Sequence, residues 1–349
     1  MKKVLILQNK ILHYRKPFYN KLAEKYDVTV LHSGKESVEI SDQYKEVITP
    51  VKSISKFKIQ KGVIKAVRSR EYDVVIAMMD VFWLNNVVSS FIYPNNVVFA
   101  WWGIIASKNA LGNKIRGCFL RKLPALFYTN AGRLQMEKEG FQSPNYTYCN
   151  NTFHIENRIP CYLNKEKNSF LFVGSLDPRK KTDALIKAFA KAVPEIPEHI
   201  HLNIIGDGTD YEKAKELIDE LGVKNRIKLV GRINKTELLQ TYYQKAICSV
   251  SYGQAGLGVL QSLGYGVPFI TNENAISGGE ISNVIHNKTG VLCKETVTDL
   301  TQYILKYAND IEAAKTLGLN AFNHYSEHCT IQHMAGKFEE LIEKHHSFP

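Results

Sequence analysis

The sequence predicts an α/β protein built of two doubly wound, Rossmann-like halves, and three observations carry that expectation. Short apolar strands alternate with helical patterns along most of the chain, from Val4 to Leu7 at one end to Gly290 to Cys293 near the other. Those strands read as continuous apolar runs, the mark of a parallel sheet covered on both faces. Between Asn150 and Lys167 the periodicity stops, Pro160 interrupts it and the charge balance changes, so a hinge is expected there. At 349 residues the chain is long enough for two full cores.

In the first half, the strand Val4 to Leu7 runs into N-K-I-L-H-Y-R-K-P-F-Y, where Pro17 opens a helix reaching about Lys25. Val28 to His32 is the second strand. Lys52 to Arg70 then holds seven basic residues and no acid, with Lys58, Lys61, Lys65 and Arg68 at helical spacing on one face. Such a face is either solvated or a seat for an anionic surface, lipid or nucleic acid. Val74 to Ala77, Val97 to Gly103 and Leu126 to Thr129 continue the strand series. Between the last two, Ile115, Phe119 and Leu123 recur at helical spacing beside Lys114, Arg116, Arg121 and Lys122. That basic amphipathic pattern suits a membrane surface or a core-facing helix with a wet back.

In the second half, Phe170 to Val173 restarts the strands. His201 to Ile205 and Ile227 to Val230 follow, separated by a helix from Asp210 to Leu221, and three helical patterns lie between Thr296 and His345. The richest stretch is S-Y-G-Q-A-G-L-G-V-L-Q-S-L-G-Y-G-V-P-F-I, Ser251 to Ile270: a strand end, a tight turn, a short helix from Leu257 to Tyr265, and a strand from Phe269. Gly253 and Gly256 would let backbone come close to a ligand, and a helix starting near Gly256 to Gly258 aims free N–H groups at the turn, which anions favour. The same pattern also fits a plain βαβ crossover with glycines for packing. The expected division is 1–160, 161–330, and a C-terminal helix over 331–349 packing back on the first domain.

Composition narrows the class. Hydrophobic residues make up 44% and charged residues 23%, ordinary for a globular protein. No apolar run approaches the roughly 20 residues of a membrane helix, and M-K-K-V-L-I-L-Q-N-K has too short an apolar core for a signal peptide, so a cytosolic chain is expected. Cys118, Cys149, Cys161, Cys248, Cys293 and Cys329 show neither zinc nor disulfide spacing. Residues 1–160 carry 24 Lys/Arg against 12 Asp/Glu, and the rest carry 21 against 22, so the net charge of +11 comes from the first half.

Taken together, the glycine signals have a specific order: V-G-S-L-x-x-R-K (Val173 to Lys180), I-I-G-D-G (Ile204 to Gly208), L-V-G-R (Leu229 to Arg232), G-L-G-V-L-Q-S-L-G-Y-G-V-P (Gly256 to Pro268) and G-G-E-I-x-x-V-I-x-x-x-x-T-G-V-L (Gly279 to Leu292). This series resembles the nucleotide-sugar-binding half of glycosyltransferase family 4, retaining enzymes of the GT-B fold, densely from Phe170 to about Cys293. The first half supports it more loosely, through its strand and helix order and the H-Y-R-K-P-F-Y segment. The resemblance implies two Rossmann-like domains facing across a cleft. Lys180 matches the family lysine that grips the donor diphosphate, Ser175 stands where the family has an arginine, and Arg179 is a substitute for it. Gly174, Gly206 and Gly208 match the phosphate and nucleotide loops, Arg232 the base-reading position, and Gly256, Leu257 and Gly258 the helix start. The family typically has two glutamates eight positions apart; here these are Gly253 and Gln261, an atypical pair. Gln261 can still bond a ribose diol, whereas Gly253 offers no nucleophile, which suits a front-face mechanism. Glu280 matches a family glutamate near the donor, or caps a helix.

The acceptor side is read from strand ends. His13 and Arg15 lie at the tip of the first strand and Asp80 just past the third, where such sheets bind ligands. His13, with a suitable intrinsic pKa, is a candidate base or acceptor-binding residue, and Asp80 a second catalytic candidate. Trp102 is either core or a sugar-stacking platform. The expected protein is a retaining glycosyltransferase of hexosyl type, using a UDP- or GDP-linked sugar without a metal cofactor. It would act on a glycan or lipid-linked glycan in cell-surface polysaccharide synthesis, such as capsule or O-antigen, from the inner face of the membrane. A non-catalytic nucleotide-sugar-binding partner and a nucleic-acid-modifying GT-B enzyme are the alternatives. A Rossmann dehydrogenase is disfavoured, since no G-x-G-x-x-G follows the first strand.

Overall fold

The computed structural model describes residues 1–107, 109–120 and 123–344. The chain divides into two compact units: Met1–His154 together with the segment from Thr330 on, and Ile155–Cys329.

The first unit runs β1 (Lys3–Leu7), α1 (Lys16–Ala23), β2 (Asp27–His32), β3 (Lys45–Ile48), β4 (Val51–Ile54), β5 (Phe57–Gln60), α2 (Val63–Arg68), β6 (Val74–Met78), α3 (Leu84–Ile92), β7 (Val98–Gly103), α4 (Ala110–Leu120), β8 (Ala125–Phe127), α5 (Asn130–Lys138) and β9 (Tyr146–Tyr148). Seven strands form one parallel sheet in the order β3-β2-β1-β6-β7-β8-β9. Val4, Leu5, Ile6 and Leu7 of β1 are all 0% exposed, so both faces of the sheet are covered, as an unbroken apolar run requires.

The second unit runs β10 (Ser169–Val173), α6 (Thr182–Ala192), β11 (His201–Ile205), α7 (Tyr211–Glu220), β12 (Ile227–Gly231), α8 (Thr236–Lys245), β13 (Ala246–Val250), α9 (Leu257–Gly264), β14 (Phe269–Asn272), β15 (Gly290–Cys293), α10 (Val297–Asn309) and α11 (Ile311–His328). Its sheet is also parallel, in the order β12-β11-β10-β13-β14-β15. Phe170, Phe172 and Ile204 meet Leu185, Ile186 and Phe189 of α6 in its core. Thr296 and Asp310 start α10 and α11 by accepting from Asp299 N and Ala313 N, at 3.1 and 2.9 Å.

The last helix, α12 (Ile331–Lys344), belongs to the first unit. Its Phe338 ring packs 4.8 Å from Phe18 and 5.0 Å from Trp102. In each sheet the strand order reverses beside the first strand, between β1 and β6 and between β10 and β13. A crevice at the carboxyl ends of such neighbouring strands is where open α/β sheets hold ligands.

Three local expectations are corrected. Lys52 to Arg70 is not one helix: β4 and β5 pair as an antiparallel hairpin, and only α2 is helical. Lys56 to Gln60 alternates polar and apolar, and Gly62 with φ +86° starts the helix late. In α4 the fully buried positions are Asn113, Gly117 and Leu120, and Phe119 and, past the helix, Leu123 pack partly buried against the core, whereas Ile115 is exposed because Gly117 leaves room for the Phe141 ring. Arg121 and Lys122, of the same basic pattern, lie outside the described residues, as does 345–349 of the C-terminal segment. At G-G-E, where Glu280 is read as a possible helix cap, the chain makes no α-helix but a single tight turn, Glu280–Asn283.

Candidate functional site

The loop from Gly174 to Lys181, leaving β10 at the reversal point of the second unit's sheet, holds the site together. Gly174 N donates to Ile205 O and Leu176 N to Asp207 O, each at 3.0 Å, and Asp210 N donates to Leu176 O at 3.0 Å. On its other side Gly253 N donates to Lys180 O at 3.0 Å. The loop is therefore stitched to the ends of both neighbouring strands. Asp177 shapes its middle by accepting from the Ser175 hydroxyl at 2.7 Å and from Arg179 N at 3.1 Å. Sequence reasoning missed Asp177, although Asp-Pro is a turn-initiating dipeptide.

Three glycines are contact points of this one loop. A Cβ on Gly206 would lie 1.7 Å from Gly174 O, one on Gly208 2.3 Å from Leu176 O, and one on Gly253 2.3 Å from Arg179 O. On the side where each would carry a Cβ, the backbone that Gly206, Gly208 and Gly253 admit is the protein's own. Gly256 differs, since nothing lies within 4 Å of its would-be Cβ. It precedes α9, whose first turn has no side-chain cap. The amides there keep their positive ends for an outside acceptor.

The Lys180 side chain is half-buried, and its ammonium has no hydrogen-bond or ion-pair partner among the described residues. Burial pulls its pKa down. The ammonium lies 3.7 Å from the point where Gly174 would carry a Cβ, while the corresponding point on Gly258 lies 3.8 Å from Val173 O. The ammonium and the uncapped start of α9 thus flank the Val173–Gly174 peptide, with half-buried Leu257 and Gly258 beside it. Two positive ends without a direct hydrogen-bond or ion-pair partner among the described residues converge on the carboxyl end of β10, an arrangement suited to a phosphate-bearing ligand.

The other donor-side positions are more dispersed. Arg179 is exposed and paired with Asp177, with Nε to Oδ1 and Nη2 to Oδ2 both at 3.0 Å. That guanidinium holds the Asp177 carboxyl well below the usual carboxylate range. Arg232 is exposed after Gly231, at the end of β12. Gln261, on α9, accepts from the buried Tyr243 hydroxyl at 3.4 Å. Glu280 is buried and accepts from the Ser277 hydroxyl at 3.4 Å. Ser277 Oγ also accepts from Gly279 N and Ile281 N at 3.1 Å, bracing the start of that turn.

In the first unit, His13 is exposed on the turn after β1, and Asp80 follows β6, on the neighbouring strand. Asp80 Oδ1 accepts from Phe82 N at 2.9 Å, and no hydrogen bond joins it to His13 among the described residues. Arg15 and Trp102 are not available to an acceptor, being 4% and 1% exposed. Arg15 Nη2 donates to the Tyr128 hydroxyl at 2.7 Å, its guanidinium carbon lies 5.0 Å from the Trp102 ring centre, and Met334 of α12 covers it. Both are core residues of this unit.

With this geometry in place, three comparisons bear on the chain. Residues 156–324 match the family model of glycosyl transferases group 1. That segment lies within the second unit and carries every donor-side position named above. Over 193 residues the chain is 28% identical to the poly(glycerol-phosphate) alpha-glucosyltransferase of Bacillus subtilis, covering 53% of this chain and 28% of that protein. Over 136 residues it is 26% identical to the alpha-1,3/1,6-mannosyltransferase ALG2 of Dictyostelium discoideum, covering 38% of this chain and 31% of that one. The chain spans under a third of the length of either relative. Among solved structures, Anabaena Alr3699/HepE in complex with UDP superposes with a TM-score of 0.75 at 16% identity, over 99% of this chain and 100% of that one. The lipopolysaccharide outer core galactosyltransferase WaaB superposes with a TM-score of 0.74 at 14% identity, over 99% of both chains. The fold is GT-B.

Proposed function

We propose that this protein is a retaining glycosyltransferase moving a hexosyl group from a UDP- or GDP-linked sugar to a hydroxyl of a glycan or lipid-linked glycan, in the synthesis of a cell-surface polysaccharide. The observation that carries the reading is the pairing of an unpartnered Lys180 ammonium with the uncapped start of α9 at the carboxyl end of β10. A half-buried cation with no direct ion pair among the described residues costs stability that a bound diphosphate would repay. HepE in complex with UDP supports the nucleotide, and the names of the glucosyl- and galactosyltransferase relatives support a polymer acceptor.

In the proposed reaction the bond from the anomeric carbon to the β-phosphate oxygen breaks, and the acceptor oxygen bonds to that carbon from the same face. The acceptor proton passes to the departing phosphate. Lys180 and the first amides of α9 meet the charge that gathers on the leaving diphosphate, where binding differs most between ground and transition state. We assign no metal to this step, and His13 and Asp80 to the acceptor side. Gln261 keeps its amide N–H groups for a ribose hydroxyl. The chain is proposed to work at the inner face of the membrane, attached through its basic first unit; no helix among the described residues is long and apolar enough to cross.

A thermal-shift panel of UDP-, GDP-, ADP-, dTDP- and CMP-sugars tests the donor reading, since a ligand that binds only the native state raises its melting temperature. One clear winner is expected. Absence of any shift, of transfer and of donor hydrolysis would sink it. The Arg179 carbonyl against Gly253 favours a second reading, because no carboxylate can occupy that position without moving the loop. On that reading the chain binds the nucleotide sugar for another transferase, and donor binding without turnover would establish it.

A further inference from the structure

The β4–β5 hairpin carries an open strand edge. Along β5 the outward-pointing amides are taken up by the neighbouring turn, Lys58 N donating to Phe82 O at 2.7 Å and Gln60 N to Asn85 Oδ1 at 2.6 Å. Val51 lies opposite Gln60 and Ser53 opposite Lys58, and such antiparallel pairs either bond each other or both point outward, so Val51 and Ser53 turn their N–H and C=O groups away from β5. On that side no hydrogen bond reaches either backbone among the described residues, and all four residues of β4 are exposed. The same register puts Lys52, Ile54, Phe57 and Ile59 on one face of the ribbon, and Val51, Ser53 and Lys58 on the other. Ile54, Phe57 and Ile59 expose 51%, 37% and 37% of their surface, and the Phe82 ring lies 6.0 Å from that of Phe57. Charge around this edge has one sign. Lys52 to Arg70 holds seven basic residues, none in an ion pair among the described residues, and no acid occurs between Glu46 and Glu71.

We propose that β4 is the docking edge for an extended, acidic segment of a partner protein, which adds to the ribbon as a third strand. Its apolar side chains lie on the face of Ile54 and Phe57, and its acids on the face of Lys58. Val51 and Ser53 each offer one donor and one acceptor, two residues apart, and another extended backbone answers all four groups. A phosphodiester, whether of a lipid or a nucleic acid, accepts but does not donate, and would leave the Val51 and Ser53 carbonyls unanswered. The exposed apolar face is covered by every second side chain of the added strand, and the alternate positions are left for carboxylates that meet the cations. A second copy of this chain would bring seven more cations to the same edge, so charge opposes it. Lysines on an edge strand guard it against indiscriminate pairing, and the same lysines select an acidic strand. The proposal goes beyond the transferase reading and does not depend on it.

The test is fluorescence anisotropy of the full chain with a labelled peptide of about ten residues, alternating valine and glutamate and blocked at both ends. A second peptide is N-methylated at its glutamates, which lie opposite Val51 and Ser53 when the valines lie on the apolar face. It keeps every charge and side chain and loses the donors. Wild type should bind the first peptide and release it with salt. N-methylation should weaken binding about twenty-five-fold, two backbone bonds at about fivefold each. Ser53→Pro removes one outward donor and leaves the ladder to β5 whole, so it should weaken binding about fivefold while melting like wild type. K52E/K58E should weaken it about tenfold. The alternating peptide failing to bind, or the N-methylated peptide binding equally well, overturns the proposal. So does a dimer in analytical ultracentrifugation that Ser53→Pro dissociates, which would give the edge to a second copy. Phosphatidylglycerol vesicles or duplex DNA that displace the peptide and bind the Ser53→Pro protein as tightly as wild type would overturn it too.

Discussion

Replacing Gly253 by alanine tests whether this glycine serves packing or marks a lost catalytic group. Its backbone amide holds the Lys180 carbonyl at 3.0 Å, and the added methyl would stand 2.3 Å from Arg179 O and 3.0 Å from Lys180 C. Both are main-chain atoms, so no rotamer change relieves the clash. Ordinary contact begins at 3.4 Å, and the loop must therefore retreat by about an ångström. Such overpacking costs about 1–3 kcal/mol, and the strained Gly253 hydrogen bond adds about 1 kcal/mol. At about 2–4 °C per kcal/mol for a unit of this size, calorimetry should show the transition of Ile155–Cys329 lowered by about 5–15 °C. Because the displaced segment carries Lys180, nucleotide-sugar affinity should fall as well. Gly256→Ala is the matched control: its φ is −106° and nothing lies within 4 Å, so its melting should stay within about 2 °C of wild type while the methyl obstructs the donor. Gly253→Glu, which installs the carboxylate that the resemblance would put there, should melt low and gain no turnover. A Gly253→Ala protein that melts like wild type, or a Gly253→Glu protein that gains activity, would refute the reasoning.

Two further outcomes are set by buried cations. Lys180→Met should lower donor affinity at least about tenfold while leaving the melting temperature equal or slightly higher, since burial already opposes this charge; a clear loss of stability would mean that the ammonium has a structural partner. Lys167, 5% exposed with Nζ donating to Ala246 O at 2.8 Å, has its pKa pushed down by burial to about 8. Between about pH 8 and the unfolded value of 10.5 the unfolded chain holds the extra proton, so stability rises with pH there, by about 3 kcal/mol at most. Lys167→Met should abolish that rise, as denaturant titrations across the window would show.

Much of the fold is legible because strand runs and their order are local signals. The unbroken apolar run of β1 implies a sheet covered on both faces, and the second unit's strands and loops follow the motif order from Val173 to Leu292. The rest is hidden because it is set by partners far away in sequence. Trp102 and Arg15 lie near strand ends and look like ligand residues until Phe338 and Met334 of α12, over two hundred residues on, cover them. The basic stretch misleads because lysines on a ribbon and a short helix happen to fall at helical spacing, while the alternation of Lys56 to Gln60 carries the true period.

The glycines show the same limit more sharply. Their positions are visible, but a glycine that admits a ligand and one that admits a neighbouring loop read alike in sequence. Gly206, Gly208 and Gly253 brace the loop that carries Lys180, and Gly256 alone among the four faces open space. The division has a functional logic. On the proposed function, a lysine that receives a diphosphate must be held out of water before the ligand arrives, and a loose loop would let it swing to solvent or to an acid. Three backbone contacts without side chains between them hold it without offering a competing carboxylate. Asp177, the nearest acid on the loop, is occupied by Arg179 and Ser175. On this view Arg179 contributes by drawing Asp177 away from Lys180, and the desolvation cost is met in the fold so that the cation is already in place when charge builds on a leaving group.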